Sequence, residues 1–117
     1  MVSFPVVTTI GSSAFNCCYS LMTASFPAAK NIWSYTFYKC YNLLSLYLLG
    51  SSRCTLANVN AFTSTPISNY TTSTGGVYGS IFVPASLYNS YISAANWAIY
   101  SARFVSMTDE EIAALNT

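Results

Sequence analysis

A period of 22 residues constrains this chain more than any other feature. Residues 10–31 read IGSSAFNCCYSLMTASFPAAKN and residues 32–53 read IWSYTFYKCYNLLSLYLLGSSR. Ile10 matches Ile32, Ser12 matches Ser34, Phe15 matches Phe37, Cys18 matches Cys40, Tyr19 matches Tyr41 and Leu21 matches Leu43. The same spacing links Phe4-Pro5 to Phe26-Pro27 and Val7 to Ala29. A unit this short cannot bury its apolar face alone, so a fixed period of this length predicts coils stacked on one another. Matched positions are apolar or small and are expected to form ladders along a shared interior. Unmatched positions, such as Gly11/Trp33, Ser13/Tyr35 and Cys17/Lys39, are expected to point outward. Ala24 and Phe26 alternate with Thr23 and Ser25, and Leu44 to Leu48 repeats that alternation, which predicts one strand per coil.

After Leu49 the spacing changes. Phe62 lies 25 residues after Phe37, and GSSRCTLAN reads as an insertion before a degenerate third repeat. From Asn60 the composition turns to Thr, Ser, Gly and Asn, the residues of loops and turns. Gly75-Gly76 predicts a tight turn, with Val77 to Val83 as a strand of a hairpin ending at Pro84. Ser86 is the expected N-cap of a helix reaching about Ala98. Phe104 to Met107 reads as a closing strand. Thr108 to Glu111 reads as a capping box that starts a last helix over Asp109 to Leu115. We therefore expect repeats over 1–59 and a degenerate repeat with a C-terminal cap over 60–117.

The ladder I-x-S-x-x-F-x-x-C-x-x-L, followed by a strand and Pro, resembles the BspA-like leucine-rich repeats of bacterial surface proteins and of phage and prophage structural proteins. The resemblance covers residues 2–49, and residues 50–107, with LANVNAF, STPI, TTSTGGVYGSIFVPASLY and NWAIYSARFVS, resemble the usual end of such chains. It implies a mainly β fold with short helices: a right-handed solenoid of the leucine-rich-repeat type, with a parallel sheet of stacked repeats and a helix/strand cap. It implies no fixed activity.

Charge excludes more than length does. The chain has four Lys or Arg, three acids and no histidine, and all three acids fall at Asp109, Glu110 and Glu111. Residues 1–108 thus offer no carboxylate or imidazole as general base, general acid or metal ligand. Neither an enzyme nor a cofactor is expected. Cys17, Cys18, Cys40 and Cys54 match no zinc spacing; Cys18 and Cys40 are expected as buried ladder thiols, and Cys17 and Cys54 fall outside the ladder. The cations are scattered, which does not suit nucleic acid. Although 53% of residues are hydrophobic, no apolar run approaches the roughly 20 residues of a membrane span. The first residues show no secretory signal, so an exported form is expected to be a fragment or to travel by virion assembly.

The informative remainder is aromatic. Trp33, Tyr35, Tyr38 and Tyr47 stand where the preceding repeat has Gly11, Ser13, Asn16 and Ser25. With Lys39 and Tyr41 they form the expected binding surface. Tyrosine mixed with Ser, Asn and Thr on a rigid frame gives large contact area at small entropic cost. The expected function is non-catalytic recognition of a host-surface protein or glycan, outside the cell on a bacterial surface or phage virion. The alternative is a structural cap or oligomerisation element whose tyrosines merely cover neighbouring coils. Self-association, or attachment to a larger assembly, is expected through the N-terminal end.

Overall fold

The computed structural model describes residues 2–68 and 77–115. In chain order the strands are β1 (Val2–Ser3), β2 (Thr9–Ile10), β3 (Thr23–Ser25), β4 (Asn31–Ile32), β5 (Ser45–Tyr47), β6 (Thr55–Leu56), β7 (Ser80–Pro84) and β8 (Phe104–Met107), and the helices are α1 (Tyr88–Ile92) and α2 (Asp109–Ala114). Two sheets result, one in the order β1-β3-β5-β7-β8 and the other β2-β4-β6, and every pairing in both is parallel.

The period appears directly as register. Val2 pairs with Ala24, Ala24 with Leu46, and Ile10 with Ile32, each a step of 22. Because side chains alternate across a strand, Ala24, Leu46, Ile81 and Phe104 form one buried ladder in register. Two aromatic columns run through the interior beside it. Phe4 stacks on Phe26 at 4.9 Å, while Phe15, Phe37 and Phe62 stack at 5.4 and 5.5 Å. The columns meet edge to face, as at Phe26–Phe37, an arrangement that favours ring quadrupoles as well as packing.

A third wall, built from consecutive tight turns, closes each coil. Its backbone groups bond from coil to coil: the amides of Ser13, Phe15 and Cys17 donate to the carbonyls of Ser34, Thr36 and Tyr38 at 2.8–3.1 Å, and those of Phe37 and Lys39 to Ala61 and Thr63. Ser13 and Tyr35 share φ values of 59° and 56°, as do Cys17, Lys39 and Ser64 at 60–62°. Few non-glycine residues adopt this left-handed conformation. Here it recurs at equivalent places because the coil-to-coil bonds and the turns hold it. Thr36, fully buried, satisfies its hydroxyl on the Trp33 carbonyl at 2.7 Å.

The register breaks in two steps. Ile32 pairs with Leu56, 24 residues on, whereas β3 and β5 keep the step of 22; two extra residues therefore lie between Tyr47 and Thr55. The third extra residue comes before Phe62, which rejoins its column at the spacing of 25 read from the sequence.

Several expectations for the second half are corrected. The strand expected at Val77 to Val83 is Ser80–Pro84. Its neighbours β5 and β8 are both parallel to it, so β7 is no arm of a hairpin; Gly75-Gly76 lie outside the described residues. A Cβ on Gly79 would stand 2.8 Å from the Leu43 carbonyl oxygen, and this close approach lets β7 enter beside β5. The single helix expected from Ser86 is instead a 3₁₀ turn at Ala85–Leu87, the short α1, and a second 3₁₀ segment at Ala98–Arg103. Ser86 does not cap it: Pro84 precedes the turn, and Asn96, at φ 65°, breaks the path. Side-chain bonds to β6 override helix propensity there. β8 and the capping box of α2 are as expected, with reciprocal bonds of 3.1 and 2.9 Å between Thr108 and Glu111.

Those side chains do what a further strand would do. The Cys54 amide donates to the Tyr91 hydroxyl and its carbonyl accepts from Trp97 Nε1, both at 2.7 Å. Asn96 Nδ2 donates to the Leu56 carbonyl at 2.7 Å, and the Tyr100 hydroxyl donates to Val59. A sheet edge that would otherwise be open is covered residue by residue. Cys54, which falls outside the repeat ladder, is consequently buried in the core.

Candidate functional site

The third wall carries most of the expected surface. Trp33 and Tyr35 are 46% and 45% exposed. Tyr35 and Tyr38 meet edge to face at 5.4 Å, and Lys39 Nζ lies 5.3 Å from the centre of the Tyr38 ring, within cation–π range. The Tyr35 amide donates to Asn60 Oδ1 at 3.2 Å, so the tyrosine is held from the next turn of chain. The left-handed backbone at Tyr35 and Lys39 repeats that of Ser13 and Cys17, so all these side chains leave the wall from rigid, equivalent positions. Sequence reasoning could not find that geometry, because Ser, Tyr, Cys and Lys are not the residues that signal φ > 0.

The other two candidates sit in stacks between coils. Tyr41, half-buried, lies parallel to Tyr19 at 5.4 Å and 5°. That column runs outside the core, since Tyr19 is exposed, and not inside it as the match Tyr19/Tyr41 implied. Tyr47 is half-buried on the outer face of the five-stranded sheet and stacks on Phe82 at 4.5 Å. Tyr35, Tyr38 and Lys39 are thus brought together, while Tyr47 belongs with Phe82, a partner that the 22-residue period could not predict because β5 and β7 are 35 residues apart.

The thiols are packing groups at the ladder positions. Cys40 is fully buried, its Sγ pointing to the Phe15 carbonyl at 2.9 Å, and burial pushes its pKa up to about 11. Burial pushes Cys54 up to about 12. Both are protonated at neutral pH and so are poor nucleophiles. Cys18 is half-buried, and Cys17 is exposed at its left-handed position. Burial likewise raises Tyr91 and Tyr100 to about 12. Among the described residues no cluster of His, Cys, Asp or Glu could hold a metal ion, and no helix is long and apolar enough to cross a membrane.

Stacked parallel strands, equivalent turns and interlocked ring columns define a repeat protein of the leucine-rich type. The family model described as BspA type leucine rich repeat region (6 copies) matches residues 2–102, and the chain belongs to that family. No curated protein and no solved structure matches the chain.

Proposed function

We propose that this chain is a non-catalytic recognition module, a right-handed solenoid whose third wall presents Trp33, Tyr35, Tyr38 and Lys39 to a protein or glycan. One observation carries the reading: two large aromatic side chains stand nearly half exposed where the coil before has Gly11 and Ser13. Neither fills the core, so packing does not account for them. Extracellular placement, on a bacterial surface or a phage tail, follows from the same reading. The test is a binding screen of the chain against glycans and bacterial cells, with Trp33→Ala and Tyr35→Ala beside the parent. Binding that falls in both variants supports the proposal, and binding indifferent to both refutes the assignment to this wall.

A structural role is the second reading, favoured by the way Tyr91, Asn96, Trp97 and Tyr100 close the β6 edge. In that reading residues 60–117 are a cap on the repeats of 1–59. The half-buried state of Phe15, Cys18 and Leu21, whose equivalents Phe37, Cys40 and Leu43 are wholly buried, supports contact with another body at the N-terminal coil. A mass in solution that rises with concentration, with no ligand found, favours this reading.

A further inference from the structure

The break in the period is local, and a groove opens beside it. Two extra residues lie between Tyr47 and Thr55, and the loop they enlarge, Gly50 to Arg53, turns back on the preceding coil. It lies so close there that a Cβ on Gly50 would stand 2.5 Å from the Pro27 carbonyl oxygen. Only glycine lets the loop sit at that distance. The groove between loop and coil has a volume of about 180 Å³, and Thr8, Lys30, Ser51 and Ser52 are the polar residues among those that line it.

Those four share one chemistry. Lys30 brings an ammonium group, the other three bring hydroxyls that can donate, and no carboxylate lines the groove. Lys30 is exposed, and the three acids of the chain, Asp109 to Glu111, are not among the residues that line the groove. A cation among hydroxyl donors, with no carboxylate in the lining, favours a negatively charged oxygen group through charge-assisted hydrogen bonds. Packing alone does not explain the loop, because the coil before it joins its two strands with two residues fewer.

We propose that this groove, separate from the aromatic wall, binds a small oxyanion, the phosphate, sulfate or carboxylate substituent of a larger ligand. Thr8 and Lys30 come from two coils and the serines from the enlarged loop, so the site exists only where the repeat departs from its period.

Amide NMR titrations with inorganic phosphate, sulfate and acetate, at ionic strength held constant with sodium chloride, test the proposal. Saturable shifts are expected at Thr8, Lys30, Ser51 and Ser52, and the strongest of the three anions identifies the substituent. Lys30→Gln, an exposed substitution that leaves melting unchanged, should weaken binding by about tenfold or more, as loss of a charge-assisted contact does. Linear, unsaturated shifts would overturn the site. So would equal shifts around Lys39 and Arg103, or saturation that Lys30→Gln leaves intact. Trp33→Ala should not affect these titrations, which keeps this outcome distinct from that of the aromatic wall.

Discussion

The two halves of the molecule satisfy the same requirement by different means. In the first, coil follows coil at a step of 22, and strand pairs with strand. In the second, the edge of the smaller sheet receives a hydroxyl, an indole and an amide in place of a strand. Backbone groups buried at a sheet edge must find partners, and either solution meets that need. Only the first leaves a periodic trace, because a ladder demands an inward apolar side chain at the same step. A side chain reaching a carbonyl demands only one residue at one place.

Breaking the second solution should have the largest effect. Trp97→Ala empties a fully buried site and strips the Cys54 carbonyl of its donor, with a cost of about 3–5 kcal/mol. Phe37→Ala should cost about as much, since Phe37 is also wholly buried. Phe15→Ala, in the same column but half-buried, should cost clearly less. Denaturant melts rank the three. Equal losses at Phe15 and Phe37 would mean that the first coil is covered in solution.

Alkaline pH strikes the same region. Cys54, Tyr91 and Tyr100 each have a pKa raised by burial to about 12, above the usual values of about 8.5 for a thiol and 10 for a phenol. Above those values the unfolded chain releases protons that the folded chain retains, so stability falls as pH rises. The contribution is complete below about pH 8 and is lost progressively toward pH 12. Melting temperature against pH should decline through this window, and the decline should be shallower in Cys54→Ala.

Tyr91→Phe sharpens the comparison further, because it keeps the ring and removes only the acceptor of the Cys54 amide. An orphaned buried donor costs about 1–3 kcal/mol. A change near zero would show that the hydroxyl does not replace a strand.

What the sequence revealed follows from the same contrast. Ile10/Ile32 and Phe15/Phe37 could be read because packing forces both members of each pair to agree. The bonds of Trp97 and Asn96 to β6 left no pattern, so a helix from Ser86 was expected where the chain bends to make them. Cys54 falls outside the ladder because the register has already slipped by two residues, so the period leaves its burial open. Of the candidate surface, exposure at Trp33 and Tyr35 was legible as failure to match. The pairing of Tyr47 with Phe82 was not, because 35 residues separate strands that the period would place 22 apart.

The smallest stability effects are expected on the wall, and they test the central claim that its aromatics stand outside the energetics of the stack. Tyr47→Ala should lose about 0.5–1.5 kcal/mol with its stacked partner, whereas Trp33→Ala and Tyr35→Ala should stay within about 0.5 kcal/mol of the parent. The decisive measurement pairs melting with binding for the double variant Trp33→Ala/Tyr35→Ala, using whichever glycan or cell surface the parent recognises. Unchanged melting with affinity down by about thirtyfold or more, as when a central anchor is lost, is the predicted result. A double variant that binds like the parent, or that loses several kcal/mol of stability, would contradict it.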